Sequence, residues 1–207
     1  MPGRRDEVLD AAMEVLGSGG LRRLTYQAVD GAAGVPAGTT SNHFRTRDAL
    51  VDGVVAHMVL LDQRDWEVFS GPGWQGAGGT EGEAGAQGAQ AARGSQQGSE
   101  ALAAALARVV LHLLGPGRAR TTARYALLLE AVARPSLRDP LTRGRESLTR
   151  WGAEWLRELG SPTPQAHCRS LYDYLDGLLL HQIGMPTEGF DPEPDIRTVL
   201  TAFLPRD

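Results

Sequence analysis

The sequence predicts an all-α fold, with a small three-helix head at the N-terminus joined to a larger helical body. Three observations predict it. Apolar residues recur at helical spacing, such as i, i+3, i+4 and i+7, in eight stretches of the 207 residues. Glycine, proline and good capping residues fall between those stretches. No stretch alternates apolar and polar residues as a half-buried strand does. There is no internal repeat, and composition divides the chain into two zones.

The first helix is expected at about residues 6–17, with Val8, Ala11, Ala12, Val15 and Leu16 as its stripe. Asp6 and Glu7 suit its positive end, and Gly17-Ser18-Gly19-Gly20 ends it. Arg4 and Arg5 precede it, either as a solvated terminus or as an arm that reaches a phosphate or the minor groove. Thr25 is a good N-cap for a second helix, on which Tyr26, Val29 and Ala33 share one face. Gly34 ends that helix in a left-handed conformation. Val35 is an apolar anchor. Pro36 is expected to open a third helix running to His43, since its missing N–H is not needed there.

Helix, tight glycine turn, helix is the layout of a helix-turn-helix DNA reader. Thr39, Thr40, Ser41, Asn42 and His43 make a poor helix by propensity. Small polar groups on a short helix suit a surface that enters the major groove and bonds phosphates and base edges. The other reading of this run is a polar loop between two core helices.

Thr46 can cap a fourth helix, running to about Phe69 with Leu50, Val54, Met58 and Leu61 inward. His57 on that helix reads as a packed or surface histidine, not a ligand. Residues 70–99 have no hydrophobic period and read as a flexible Gly/Ala/Gln-rich insertion, with Trp74 its only large apolar group. The body begins near Glu100. Leu102, Leu106, Val109, Val110 and Leu113 mark a fifth helix, ended by Gly115-Pro116-Gly117. Tyr125, Leu128, Leu129 and Val132 mark a sixth, Leu148, Trp151, Trp155 and Leu159 a seventh. Leu171, Tyr174, Leu175, Leu178 and Leu179 mark an eighth, and Ile196, Val199, Leu200 and Phe203 a ninth.

Composition narrows the function. Net charge is −4, and the first fifty residues balance six arginines against six acids. Any nucleic-acid binding must therefore rest on where the arginines sit, not on their sum. Every basic residue is Arg. The N-terminus lacks the apolar core of a signal peptide, and no apolar run is long enough to cross a bilayer. A single cysteine, Cys168, excludes an internal disulfide and fits a reducing cytoplasm. No nucleophile motif, phosphate-cradling loop or cysteine–histidine metal set is present, so neither enzyme activity nor a cofactor is expected. Asp173 and Asp176 share a face of the eighth helix, but His181 lies off it, so no metal site is expected.

Residues 6–50 resemble the DNA-binding head of the tetracycline-repressor (TetR) family of bacterial regulators. The resemblance is carried by Ala11-Ala12, Gly20, Thr25, Val29, Ala33-Gly34-Val35, Gly38-Thr39, His43-Phe44 and Arg47 with Leu50. The remaining helices resemble the family by layout only. Three positions depart from the usual pattern: Pro36 stands where Ser is usual, Ser41 where Tyr is usual, and Asp30 where Ala is usual. An unpaired buried carboxylate is costly, so Asp30 is expected to pair with a nearby Arg or with His43.

The resemblance implies a homodimeric, ligand-responsive transcriptional regulator, a repressor, on a double-stranded, pseudo-palindromic operator. Residues 1–47 would form the DNA-binding domain, 48–69 the connecting helix, 70–99 the insertion and 100–207 the ligand-binding and dimerisation body. Thr25, Tyr26, Thr39, His43 and Arg47 would position phosphates. Ala37, Thr40, Ser41 and Asn42 would face base edges, with Asn42 able to read adenine. Trp66, Phe69, Tyr125, Leu128, Trp151, Trp155 and Tyr172 would wall a pocket for an unidentified small-molecule effector, with polar groups from His112, Glu130 and His181. Arg124, Glu130 and Arg134 form either a polar cluster there or surface ion pairs. Leu171, Tyr174, Leu175, Leu178, Leu179, Ile196, Val199, Leu200 and Phe203 would meet the twin subunit. The alternatives are a helical ligand-binding protein or enzyme whose head is structural only, and a regulator controlled by a protein partner through the insertion.

Overall fold

The computed structural model describes residues 3–70 and 87–204, with side chains for all of these except 66, 67, 69, 70 and 87–96. Among the described residues there are nine α-helices and no strand. In order they are α1 (Arg4–Arg23), α2 (Tyr26–Ala33), α3 (Thr39–His43), α4 (Arg47–Ser70) and α5 (Gln87–Leu114). There follow α6 (Arg118–Ala133), a 3-10 turn (Pro135–Leu137), α7 (Arg138–Glu158), α8 (Pro164–Gly184) and α9 (Glu193–Phe203). No single helix among them is long and apolar enough to cross a membrane.

Three boundaries differ from expectation. First, α1 begins at Arg4, so Arg4 and Arg5 are helical and not a loose arm, and it continues through Gly17–Gly19 before breaking at Gly20 (φ 67°, ψ −177°). Each interior glycine costs about 0.5–1 kcal/mol, whereas burying a side chain such as Leu9 or Leu16 contributes about 1.5–3 kcal/mol. Both of those leucines are fully buried, so packing overrides the glycines. Second, α3 starts at Thr39, not at Pro36, because its N-cap Gly38 is left-handed (φ 90°) and cannot lie inside a helix. Third, α5 starts at Gln87, inside the stretch expected to be flexible. Ala and Gln sustain a helix by propensity where no apolar stripe marks it. The remainder of that expectation, residues 71–86 with Trp74, lies outside the described residues.

The chain divides into two compact units, Met1–Gln63 with His112–Ser147, and Arg64–Leu111 with Leu148–Asp207. In the first, a single apolar core joins Val8, Leu9, Met13 and Leu16 of α1, Val29 of α2, Phe44, and Leu50, Val54 and Met58 of α4. Ala123, Leu127 and Ala131 of α6 belong to the same core. The buried arc of α1 is wider than the stripe expected from spacing, because Leu9 and Met13 join it. That width lets α1 pack against α2 and α6 together. At Gly17 the contact is closest: an added Cβ would lie 2.6 Å from the Ala119 carbonyl oxygen. His57 is buried, with Nε2 2.9 Å from Asp10 Oδ1, and so is packed as expected.

In the second unit, Leu102, Leu106 and Val110 of α5, Leu156 of α7, Leu171, Leu175 and Leu179 of α8, and Ile196 and Leu200 of α9 are buried. Cys168 is buried as well, and its sulfur would stand 2.9 Å from a Cβ at Gly152. The His167 ring stacks on Phe203 at 4.6 Å, while Ser161 Oγ meets His167 Nδ1 at 2.7 Å. These contacts pin the end of α9 to the start of α8.

Candidate nucleic-acid interface

The reader begins with α2. Thr25 is extended, and its Oγ1 accepts a hydrogen bond from Ala28 N at 3.1 Å, which caps the helix as the sequence indicated. Val29 is fully buried and anchors α2 in the core. Gly34 is left-handed (φ 63°, ψ 30°) and ends the helix. Val35 then packs against the core while its N–H donates to the Asp30 carbonyl at 3.0 Å.

Asp30 is buried but forms no ion pair with Arg or His43, in contrast to the expectation. Its Oδ2 accepts from Gly38 N at 2.7 Å, and its Oδ1 accepts from Thr40 N at 2.8 Å and Thr40 Oγ1 at 2.5 Å. Backbone and hydroxyl donors satisfy the carboxylate without a counter-charge. Burial pushes the carboxyl pKa up, but the hydrogen bonds from the Thr40 hydroxyl, Thr40 N–H and Gly38 N–H outweigh it and hold the group below its ordinary 3.8.

The same bonds correct the set of base readers. Thr40 is fully buried against Asp30 and cannot reach a base edge. Its spacing of four from the core residue Phe44 carries that signal, because i and i+4 share a helix face. Ser41 is half-buried, with Oγ donating to Gly38 O at 2.9 Å, and Thr39 Oγ1 donates to Pro36 O at 2.6 Å. The residues left exposed are Ala37, Asn42 and His43. Arg47 is also corrected: it is half-buried, and its Nη2 donates to the Leu21 carbonyl at the end of α1, so its guanidinium braces the head. Nothing in the residue spacing marks that contact.

The exposed cations on the head are Arg5, Arg22, Arg23 and Arg45, together with Arg4, which pairs with Glu7 at 2.9 Å. Arg5 lies over the Phe44 ring at 5.1 Å, which holds a guanidinium beside the end of α3. Thr25 and Gln27 are exposed at the start of α2, and Tyr26 is half-buried against the core. Arg45 and Gln27 thus stand exposed with Thr25 and His43, polar groups of the kind that bond phosphate oxygens, whereas Thr39 spends both its hydroxyl and its N–H on Pro36 O. Gln27 escaped the sequence reading because a lone glutamine carries no motif.

The residues expected to wall a ligand pocket are placed as follows. Trp66 and Phe69 have side chains outside the described residues. In the first unit Tyr125 is buried and Leu128 is exposed. In the second, Trp151 and Trp155 meet edge to face at 4.2 Å, and Tyr172 Oη donates to Leu148 O at 3.3 Å. Glu130 pairs with Arg134 at 2.7 Å on the surface, while Arg124 pairs with Asp62 at 2.5 Å, so the three do not form one cluster. A cleft of about 490 Å³ lies between α4 and α7 in the first unit, walled by Val55, Ala56, Val59 and Leu60, with Gln63 and Ser147 among its polar groups. Of the expected pocket residues whose side chains are described, none lines it. Among the described residues no cluster of three or more His, Cys, Asp or Glu could hold a metal ion.

Of the residues expected at a dimer interface, Leu171, Leu175, Leu179, Ile196 and Leu200 are buried within the chain itself. Those five pack α8 and α9 into their own unit and are not available to a partner. Tyr174, Leu178, Val199 and Phe203 remain partly accessible. The Tyr174 hydroxyl is pushed above its ordinary pKa by burial and by the Asp195 carboxylate.

Comparison with known proteins agrees with this architecture. The family description "Tetracyclin repressor-like, C-terminal domain" matches residues 97–206, and "Bacterial regulatory proteins, tetR family" matches residues 8–54. A TetR family member from Streptomyces coelicolor A3 is 28% identical, covers 99% of this chain and 100% of its own, and superposes with a TM-score of 0.65. The multidrug binding protein EbrR, complexed with ethidium, is 27% identical over 99% of this chain and 100% of its own, with a TM-score of 0.63. A TetR-family regulator from Rhodococcus sp. shares the fold at 18% identity, with a TM-score of 0.69 over 98% of both chains. No curated protein matches the chain at a significant level. With one match across the reader and another across more than half of the chain beyond it, the protein belongs to the TetR family of bacterial transcriptional regulators.

Proposed function

We propose that the protein is a homodimeric, ligand-responsive repressor that acts in the cytoplasm on a pseudo-palindromic operator. The observation that carries the reading is the outward set on and beside α3: Ala37, Asn42 and His43 stay exposed while the other hydroxyls of that segment bond inward. Asn42 is the base reader, suited to the N6 and N7 edge of adenine. Thr25, His43 and Arg45 hold phosphates. Two readers on one face of the duplex require half-sites roughly 34 Å apart, one helical turn. The accessible members of the α8–α9 set, Tyr174, Leu178, Val199 and Phe203, would meet the twin subunit.

EbrR has been solved with ethidium, proflavin and malachite green. That similarity supports an aromatic cation as effector. The edge-to-face pair Trp151 and Trp155 offers π-surface for it. Such a molecule weakens DNA binding only by favouring a state whose readers no longer match the groove spacing.

Two measurements test the reading. Asn42→Ala should relax the preference at one base pair by about 1–3 kcal/mol and leave the salt dependence of binding unchanged. Gel-shift titrations on matched and single-substituted duplexes read this directly, and an unaltered preference counts against the assignment. In DNA-free protein, proflavin should quench tryptophan fluorescence saturably. Replacing both Trp151 and Trp155 by Leu should weaken that binding about 10-fold, since two aromatic contacts of about 0.5–1 kcal/mol each are lost. An equal affinity in the double variant removes the pair from the site.

A further inference from the structure

We propose that Asp30 is a positioning residue for DNA recognition, a clamp on α2 that fixes the first turn of α3 and with it the angle at which Asn42 and His43 meet the groove. The inference rests on the DNA-binding reading above and adds to it a residue that touches no DNA.

Little else holds the first turn of α3. The helix has five residues, far below the length at which a helix persists unaided. Its one buried side chain is Thr40. Its N-cap is Gly38, which has no side chain to satisfy the first N–H groups, and Pro36 stands where a capping hydroxyl would otherwise be available. No apolar side chain packs from within Thr39–His43 itself; the C-cap Phe44 anchors only the far end of the helix in the core and leaves its first turn to other contacts.

Asp30 supplies what is missing from outside the helix. Its two carboxylate oxygens take three donors: Gly38 N, Thr40 N and Thr40 Oγ1. Two of these are the N–H groups that the start of α3 leaves without partners. Bonds to a carboxylate are shorter and about twice as strong as neutral ones, and negative charge is favoured at a helix start. The main chain of the same residue closes the turn from the other side, for the Asp30 carbonyl accepts from Val35 N and Gly34 N. One residue therefore holds the end of α2 and the start of α3 in a fixed relation. Val29, fully buried beside it, ties that relation to the core.

A displaced reader harms base recognition more than phosphate binding. Bidentate base contacts demand close alignment, whereas the electrostatic attraction of exposed arginines to the backbone tolerates a shift. The variable to measure is thus the ratio of affinities for a selected operator and for a duplex of random sequence at one salt concentration. Asp30→Asn keeps the shape, but its amide NH2 must face the Gly38 or Thr40 N–H. It should lower the ratio at least about 10-fold, while affinity for the random duplex changes less than about 3-fold. Thr40→Val removes one of the three donors and should lower the ratio by about 3-fold, which keeps the test available should Asp30→Asn fold poorly. Leu127→Ala is the control: it opens the same core from α6, away from the clamp, and should cost stability while leaving the ratio unchanged well below its melting temperature.

An unchanged ratio in Asp30→Asn and Thr40→Val, or an equal fall in Leu127→Ala, overturns the positioning role. A parent protein that prefers no duplex over another overturns the DNA-binding reading itself, and the clamp's role with it. A parent that discriminates alongside variants that discriminate equally well removes the clamp alone.

Discussion

Gly17→Val is expected to destabilise the protein by about 3 kcal/mol, and Gly17→Ala by about 1 kcal/mol. The sign of the alanine variant is the informative part. Gly17 lies inside α1, where replacing glycine by alanine ordinarily stabilises by roughly 0.5–1 kcal/mol. Here the new Cβ would stand 2.6 Å from the Ala119 carbonyl oxygen and 3.3 Å from its carbon. Those are backbone atoms of α6 and cannot rotate away. Either α1 and α6 separate, which opens the core holding Val8, Leu9 and Leu127, or α1 bends. Valine adds two methyl groups to the same clash. Thermal unfolding should show the valine variant melting about 6–12 °C lower. If Gly17→Ala raised the midpoint, helix propensity would be winning and the close approach of α6 to α1 would be refuted.

The second large effect is expected at Asp62. This α4 carboxylate is mostly buried, with Oδ2 2.5 Å from Arg124 Nη2 and Oδ1 3.5 Å from Arg120 Nε, both on α6. Removing one member of a buried charge cluster leaves the others desolvated without compensation, which costs about 3–5 kcal/mol in full burial. Both arginines have further partners, which places Asp62→Ala at the lower end, about 3 kcal/mol. Asp62→Asn keeps the shape and loses only the charge, so it should cost about 2 kcal/mol. Urea unfolding with an unchanged m-value would measure both. Losses under about 0.5 kcal/mol for both variants would mean a solvated ion pair of little consequence.

Both sites concern α6, the helix that sequence reasoning placed in the body. The compact unit that carries the reader takes in α6 and the first part of α7. Spacing could show that α6 has an apolar stripe, but not which partner covers it. Leu127, unremarked in the sequence, is fully buried there, while Leu128, Leu129 and Val132 from the expected stripe are exposed.

What the sequence does show clearly is local. Thr25 and Thr46 cap α2 and α4 through their hydroxyls, and Gly34 ends α2 left-handed. These features depend on a residue and its immediate neighbours, so residue type suffices. What it hides is whatever depends on contacts between distant segments. Asp30 departs from the family pattern, and burial made a partner necessary, but the partner proved to be backbone N–H and not a cation. Arg47 matches the family motif yet spends its guanidinium on Leu21. Ile196 and Leu200 have the spacing of an interface, but a helix buried in its own unit shows the same period.

On the reading proposed, α3 enters the major groove from each half of a dimer. Selection of bound fragments from a random duplex library by the purified full-length protein tests it most directly. The expected result is enrichment of an inverted repeat whose half-site centres lie about 10 base pairs, or a multiple of that, apart, with the enriched preference relaxed at one position by Asn42→Ala. Recovery of a library no different from its input, by a protein that stays monomeric, would contradict it.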